Sequence, residues 1–136
     1  MKKKSNQSYY TNRHSCFLLC YHIVLVTKYR KPVLQGALKD TVYQIIRDIV
    51  EERGYHLIEL NGEADHVHIL LDAGPEMKPL ELINVLKTKT ARFARRDFSE
   101  ALKKYYWKPY FWTDSYFIAT VGENSRDVVE EYIHNQ

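Results

Sequence analysis

The order in which two hydrophobic periodicities alternate along the chain limits its fold more than any other feature. Residues 17–27 are rich in β-branched and aromatic side chains, and this pattern predicts a central β-strand. Residues 36–53 then carry Leu, Val and Ile at helical spacing, and Gly54 follows as a typical helix stop. We therefore expect an amphipathic helix that packs on a sheet.

The rest of the chain continues this alternation. Residues 55–63 and 65–72 are two adjacent strand patterns, and we predict a hairpin turn or a bulge near Asn61 and Gly62. Three more elements are predicted: a helix over 80–98, a strand over 115–121, and a helix from Asn124 or Ser125 to the end. The order β-α-β-β-α-β predicts an α+β, ferredoxin-like sandwich, an antiparallel sheet with helices on one face, plus a C-terminal helix.

The length of 136 residues suits a single domain. We expect residues 1–15, which are polar and carry a basic start, to form a flexible arm, and residues 16–136 to form the domain. No apolar run approaches the roughly 20 residues of a membrane span, and no signal peptide is recognisable. The sequence therefore predicts a cytoplasmic protein without membrane association.

Cysteine usage and net charge constrain the function only weakly. Cys16 and Cys20 could hold a metal or form a disulfide, but two lone cysteines beside a strand are usually small buried apolar residues in a reducing compartment. The formal net charge of +3 gives modest support for a polyanionic partner.

The motif Asp65-His66-Val67-His68 is the most specific local signal for chemistry. Alternate residues of a strand share a face, so His66 and His68 project together while Val67 points to the opposite face. Two imidazoles placed in this way can share one metal ion. The same pattern also suits an exposed sheet face that carries two solvated histidines.

The C-terminal helix offers a second pair of reactive side chains. Tyr132 and Gln136 stand at positions i and i+4, on one face of that helix. A tyrosine can supply a nucleophile for phosphorus, and a glutamine can supply a neutral oxygen ligand. From helical periodicity alone, Tyr132 could equally be a core aromatic residue that packs beside Val129 and Ile133.

Basic and aromatic residues favour a nucleic-acid partner, although each has an ordinary structural explanation. On the second predicted helix, an apolar side lies opposite a basic stripe formed by Lys89, Arg92, Arg95 and Arg96, which fits phosphate contacts or a solvated face. Farther on, lysines interleave with the aromatic residues Tyr105, Tyr106, Trp107, Tyr110, Phe111 and Trp112. Such rings can stack unpaired bases, or they can line a core or a dimer interface, and we expect Trp112 to be buried.

Taken together, these stretches resemble the single-tyrosine, His-hydrophobic-His transposases of the insertion-sequence 200/605 family. The matching segments cover nearly the whole chain from Tyr21 and occur in the family's order: 21–34, 65–71, 86–93, 111–122 and 129–136. Two departures are Ala64, where the family commonly has Pro, and Ser115, where it commonly has Gly. Neither residue belongs to the proposed chemistry.

The resemblance implies a mechanism and a set of residues. It implies a Mg²⁺ or Mn²⁺ ion held by His66, His68 and Gln136, and single-stranded DNA cleaved and rejoined through a 5′-phosphotyrosine at Tyr132. It implies substrates that are hairpins at the ends of an insertion sequence, and a protein found with the nucleoid when bound to DNA. It also implies a homodimer in which a swapped C-terminal helix can complete the partner subunit's site, with Gly122 as a hinge.

Several residues and alternatives stay open at this point. Lys28 and Arg30, together with Lys89, Arg92 and Arg96, are candidate DNA contacts, and His22 suits a DNA contact as well as it suits a core position or a contact to a ligand residue. Related alternatives are a replication-initiator or relaxase nuclease, and a transposase relative that acts on chromosomal repeats. A ferredoxin-like nucleic-acid-binding module without catalysis would need neither metal nor Tyr132. A zinc hydrolase that used His66 and His68 would tolerate the loss of Tyr132.

Overall fold

The structure, a computed structural model, describes residues 10–11, 16–17, 19–120 and 125–136, with side chains for 19–120 and 129–136. The strands are β1 Tyr10–Thr11, β2 Cys16–Phe17, β3 Leu19–Val26, β4 His56–Glu63, β5 His66–Ala73 and β6 Phe117–Thr120. The helices are α1 Gly36–Glu52, α2 Pro79–Asp97, α3 Ser99–Lys103 and α4 Ser125–His134, and a short turn covers Lys28–Arg30.

The main sheet has four antiparallel strands in the order β4-β5-β3-β6, while β1 pairs with β2 separately. The central pair is long and regular, since β3 and β5 match from Leu19 opposite Ala73 to Val26 opposite His66. Along the chain, α1 lies between β3 and β4, and α2 lies between β5 and β6. The α+β, ferredoxin-like sandwich predicted from the sequence is confirmed.

The two faces of the sheet are covered by different helices. One face carries Ile23, Leu25 and Ile69 into the main core, where the buried sides of α1 and α2 pack. The opposite face carries Val24 and Val26, and α4 covers it with Val129 and Ile133. Because side chains alternate along a strand, the face under α4 is also the face that displays the even-numbered histidines of β3 and β5.

The hairpin between β4 and β5 differs from the prediction at two positions. The turn lies at Ala64 and Asp65, and the bulge lies between Leu57 and Glu59, so neither occurs near Asn61 and Gly62. Gly62 is needed for a different reason. It has φ +156°, and a Cβ there would lie against the carbonyl oxygen of His66 and 2.9 Å from the Cα of Val67. Glycine at this position marks a close approach of two backbones.

Only parts of the two chain ends are among the described residues. The strand β1 lies inside the segment predicted to be a flexible arm, and the remaining arm residues lie outside the described ones, so their flexibility stays a prediction. The expected break at Gly122 and the expected cap at Asn124 also fall outside them. Among the described residues, no helix is long and apolar enough to cross a membrane.

Cys20 is a free, half-buried thiol on β3. Burial, together with the nearby charge of Asp72, raises the pKa of the Cys20 thiol to about 11. The thiol is therefore protonated at neutral pH, as expected for a structural rather than a reactive cysteine. The side chain of Cys16 lies outside the described residues.

Candidate functional site

Strand β5 brings the two histidines of the His-x-His motif together, as predicted. His66 is buried, with 7% of its surface exposed, and His68 is half-buried. Their ring centroids are 4.9 Å apart and the rings are nearly perpendicular. The intervening Val67 is fully buried on the opposite face of the sheet. The alternative of two solvated histidines on an open face is excluded by this burial.

Asp65 fixes the orientation of the first histidine. Its Oδ1 lies 2.7 Å from Nδ1 of His66, and its Oδ2 accepts a hydrogen bond from Nε of Arg30 at 3.1 Å. Burial acts to raise the pKa of the Asp65 carboxyl, but the hydrogen bonds from His66 and Arg30 outweigh it and hold the pKa below its usual value. A carboxylate only accepts hydrogen bonds, so Nδ1 of His66 donates to Asp65, and Nε2 is the ring nitrogen on the side away from that contact.

The hairpin tip that carries Asp65 is held in place by its backbone. The amide of Thr27 donates to the carbonyl of Asp65 at 3.0 Å, and the amide of Leu34 donates to the carbonyl of Ala64 at 2.9 Å. Thr27 is fully buried, and its hydroxyl lies 3.1 Å from the same Asp65 carbonyl. The carboxylate beside His66 is thus mounted on a rigid turn.

His22 contacts the second histidine at the corresponding ring nitrogen. Nε2 of His22 lies 2.9 Å from Nδ1 of His68, and the two rings are 5.1 Å apart. Burial, with the nearby charges of His66 and His22, lowers the pKa of His68 to about 4. Burial also lowers the pKa of His22, against a smaller upward effect of Glu59. Both imidazoles are therefore neutral at neutral pH, the form in which histidine binds metals.

A cavity of about 700 Å³ opens beside the paired histidines. Its wall from β4 carries Glu59, Asn61 and Glu63, and Arg30 reaches it from the turn after β3. The cross-strand register explains the wall, because Asn61 pairs with His68 and Glu63 pairs with His66. The helix α4 contributes Val129, Glu130, Ile133 and His134.

Tyr132 and Gln136 lie together, as their spacing predicted, but neither lines this cavity. The hydroxyl of Ser115 lies 2.7 Å from the Tyr132 phenol and donates to Oε1 of Gln136 at 3.1 Å. Since Ser115 has a single hydroxyl proton, the phenol is the donor in the shorter contact. Nε2 of Gln136 donates to the backbone carbonyl of Tyr132 at 3.2 Å, and the Tyr132 ring packs 5.7 Å from Phe117. The structure therefore forms two separate pairs, one of histidines and one of Tyr132 with Gln136.

The predicted DNA contacts lie on two sides of the molecule. Arg30 lines the histidine cavity, and Lys28, next but one to it, approaches Asp114 at 4.0 Å. Lys89 and Arg92 are exposed on α2, which packs on the sheet face opposite to α4. Arg96 is also exposed there and pairs with Asp97 at 2.7 Å. Lys89, Arg92 and Arg96 of the basic stripe are therefore exposed, on the sheet face opposite to the one that carries the histidine cavity.

Three parts of the site were not identified from the sequence. The sequence left His22 undecided and gave Asp65 no role, and it did not identify the β4 wall of the cavity. The register of three strands would have revealed His22 and the β4 wall, because Asn61 pairs with His68 and His22, which pairs with Leu70, lies diagonally across from His68. Within the described residues, no group of three or more His, Cys, Asp and Glu side chains is arranged to hold a metal ion.

The fold and cavity define a class of protein: a ferredoxin-like sandwich whose sheet carries a His-x-His pair in a cavity beside a helix that bears a tyrosine. Residues 15–136 match a family described as "Transposase IS200 like". The chain belongs to this IS200-like transposase family.

Individual relatives agree with this assignment. The ISDra2 transposase TnpA of Deinococcus radiodurans is 36% identical over 120 residues, which cover 88% of this chain and 85% of that protein. The transposase of the insertion sequence element IS200 of Salmonella typhimurium is 33% identical, with coverages of 85% and 75%.

Solved structures give the same fold. A crystal structure of a protein from Deinococcus radiodurans that is described as a transposase superposes with a TM-score of 0.80 at 34% identity. It covers 100% of this chain and 98% of that one. A tyrosine transposase bound to a REP hairpin shares the fold with a TM-score of 0.59 at 8% identity, and the match covers 98% of this chain and 71% of that one.

Proposed function

We propose that this transposase cleaves and rejoins single-stranded DNA at insertion-sequence ends through a 5′-phosphotyrosine at Tyr132, in a metal-dependent reaction. The observation that carries the proposal is the histidine pair. His66 and His68 are each held by a second residue through Nδ1, in a cavity covered by the helix that bears Tyr132. A purely structural pair on a sheet would need no such orientation of both rings.

The residues that would hold the ion are His66 and His68 through Nε2, with Gln136 as the third ligand. Neutral imidazoles and an amide oxygen are donors that Mn²⁺ and Mg²⁺ accept, although imidazole is the better match to Mn²⁺. When bound, the ion holds a phosphodiester oxygen and withdraws charge from phosphorus. The two histidines fit this role as they stand. Gln136 fits it only after its Oε1 leaves Ser115.

The covalent step belongs to Tyr132. Its phenol oxygen attacks phosphorus, a bond forms between that oxygen and the 5′-phosphate, and the bond from phosphorus to the 3′-oxygen breaks. The phenol proton is matched by the proton that the departing 3′-hydroxyl takes up. Because the new phosphodiester keeps the energy of the old one, a second 3′-hydroxyl can reverse the step and rejoin the strand without ATP.

We propose that the complete site unites residues of two subunits. In one chain, Tyr132 and Gln136 lie outside the cavity that His66 and His68 line. The described part of α4 is held to the sheet by the burial of Val129 and Ile133, worth about 1.5–3 kcal/mol each. Contacts of this size can be exchanged when DNA binds. A helix from the partner subunit can then bring its tyrosine to the histidines of the first.

We propose single-stranded hairpins as the substrate and the cytoplasm, at the nucleoid, as the place of action. The relative of known structure that is bound to a REP hairpin supports a hairpin ligand for this fold. In this chain, Arg30 lies at the cavity, and Lys28, Lys89, Arg92 and Arg96 offer charges for the DNA backbone at greater distance.

The test is incubation of the full chain with labelled single-stranded DNA that carries the element-end hairpin, with Mn²⁺ or Mg²⁺, followed by denaturing electrophoresis. We expect a shifted protein-DNA band that disappears with EDTA and with Tyr132→Phe. Tyr105→Phe, a change of the same kind at a half-buried tyrosine, is the matched control and should keep the band. If Tyr132→Phe protein still forms the band, or wild-type protein binds the hairpin but never forms it, the proposal is wrong.

A further inference from the structure

An exposed group of aromatic rings lies outside the histidine cavity. Among the described residues, the exposed large hydrophobic side chains include Trp107, at 72%, and Tyr29, at 51%. These two rings stack on each other, with centroids 5.9 Å apart and planes only 11° apart. Tyr110 packs edge-on against both, at 5.7 Å and 5.6 Å. We call Tyr29, Trp107 and Tyr110 the aromatic platform.

The platform is not an extension of the core. In the same segment, Tyr106 and Phe111 are 5% and 2% exposed, and the Tyr106 hydroxyl donates to the carbonyl of Lys28 at 2.7 Å. These neighbours anchor the segment, while Trp107 points to solvent. An indole that is 72% exposed and stacked on one side presents most of its other face to water. Large apolar surface of this kind marks a binding site.

Positive charges surround the platform. Nζ of Lys28 lies 5.3 Å from the centre of the Tyr29 ring and 5.1 Å from that of Tyr110. Arg95, Lys103 and Lys108 line a groove of about 270 Å³ together with Trp107 and Tyr110. The acidic groups nearby are Asp114, which is 4.0 Å from Lys28, and Glu100, which pairs with Lys103. The cations outnumber them.

We propose that the aromatic platform is a binding site for an unpaired base of single-stranded DNA, stacked on the open face of Trp107. The surrounding cations, Lys108 above all, contact the phosphates on either side of that base. This inference rests on the proposed function for the nature of the strand. Three rings are enough for one or two bases, and a cationic rim complements phosphate rather than an apolar protein surface.

The platform is connected to the histidine cavity through one short turn. Tyr29 and Arg30 are neighbours with φ of 57° and 53°, a left-handed conformation that is uncommon for residues other than glycine. This turn places Tyr29 in the platform and Arg30 at the cavity. A DNA strand bound at the platform is thereby near the side chains that line the cavity. The platform would hold the part of the DNA strand that flanks the reacting phosphate.

The first test uses the fluorescence of Trp107. The chain has two tryptophans, and the other, Trp112, is 7% exposed with its indole nitrogen hydrogen-bonded to Thr90. We expect a short oligothymidylate to quench the exposed tryptophan, and an abasic oligonucleotide with the same number of phosphates to quench little and to bind roughly tenfold more weakly. Equal binding of the two oligonucleotides would mean that phosphates alone are recognised, and would overturn the proposal.

The second test uses variants. Trp107→Ala should weaken oligothymidylate binding roughly tenfold, whereas Leu80→Ala, at an apolar residue that is 56% exposed elsewhere, should not. Tyr132→Phe protein should still show the quenching, because the Tyr132 phenol is not part of the platform. If wild-type protein shows the quenching but forms no adduct, the proposed function alone is refuted. Unchanged affinity in Trp107→Ala protein would refute the platform alone.

Discussion

Asp65 controls how His66 is presented, although it faces the imidazole and not the substrate. We expect Asp65→Ala to lower Mn²⁺ affinity by about 10- to 100-fold, the usual cost of removing a carboxylate that orients a metal-binding histidine. The ring would lose the acceptor for its Nδ1 proton and the link to Arg30. Isothermal titration calorimetry with Mn²⁺ measures this affinity.

Asp114→Ala is the matched control for that titration, because the Asp114 side chain is fully exposed, lies 4.0 Å from Lys28 and does not line the histidine cavity. It should leave Mn²⁺ affinity unchanged. If both alanine variants bind Mn²⁺ as the wild-type protein does, then Asp65 does not orient a ligand.

Ser115 restrains both residues that the C-terminal helix offers to the reaction. Its hydroxyl accepts from the Tyr132 phenol and donates to Gln136, so both contacts must break before either residue can act. A net hydrogen bond is worth about 0.5–1.5 kcal/mol, so the loss of both in Ser115→Ala protein should speed adduct formation by roughly 5- to 150-fold. Single-turnover kinetics with labelled DNA give the rate.

The control for Ser115→Ala is Thr88→Ala, which removes an exposed hydroxyl from α2 and should leave the rate unchanged. A slower reaction in Ser115→Ala protein would show that the serine assists the nucleophile and does not restrain it.

Among the elements, strand β4 requires a glycine, Gly62, that the sequence pattern assigned to a turn or a bulge. Gly62→Ala puts a Cβ against the backbone of His66 and Val67, which belong to β5 and cannot yield as a side chain can. We expect a loss of about 3 kcal/mol in the free energy of unfolding, among the larger effects of single substitutions. Thermal or urea unfolding followed by circular dichroism measures it.

Gly54→Ala separates the two causes of that loss. Gly54 has φ +80°, and no atom lies within 4 Å of the point that a Cβ would occupy, so only backbone strain of about 1–2 kcal/mol is expected there. If the two alanine variants lose the same stability, the close approach at Gly62 is not what requires glycine.

The elements themselves were predictable because each has a strong period. The pattern over 36–53 became α1 Gly36–Glu52, and the pattern over 80–98 became α2 Pro79–Asp97. The hairpin turn was not predictable in the same way. Asn61 and Gly62 resemble a turn, but pairing with β5 continues through them to Glu63. A local signal was overridden by a contact between strands.

The same contrast applies to the site. Period-2 alternation was enough to bring His66 and His68 together, and i,i+4 spacing was enough to bring Tyr132 and Gln136 together. Whether the two pairs meet depends on how α4 docks on the sheet, which no local pattern encodes. Trp107 is exposed and Trp112 is buried. This difference also depends on tertiary packing, which no local pattern encodes.

At the scale of the whole molecule, a site shared between two chains makes a quantitative prediction. Tyr132→Phe protein keeps the histidines, and protein with both His66→Ala and His68→Ala keeps the tyrosine. Neither should form an adduct alone. After equal mixing and exchange of subunits, half of the dimers are mixed and each has one intact composite site, so about a quarter of wild-type activity should return.

Size-exclusion chromatography of the mixture tests for the dimer that this prediction requires. Mixtures that stay inactive while the subunits exchange would mean that each chain completes its own site. In that case α4 must move within one subunit to bring Tyr132 to the cavity.

The most direct test of Tyr132 as the nucleophile is to identify the residue that becomes attached to DNA. The adduct formed with the element-end hairpin and Mn²⁺ would be digested with nuclease and protease, and the peptide that retains a nucleotide would be sequenced by mass spectrometry. We predict a 5′-phosphate on Tyr132, and no modified peptide when His66 and His68 are both alanine. Attachment at any of the other ten of the 11 tyrosines would show that Tyr132 is not the nucleophile. Attachment to Tyr132 without those histidines would show that they do not take part in the reaction.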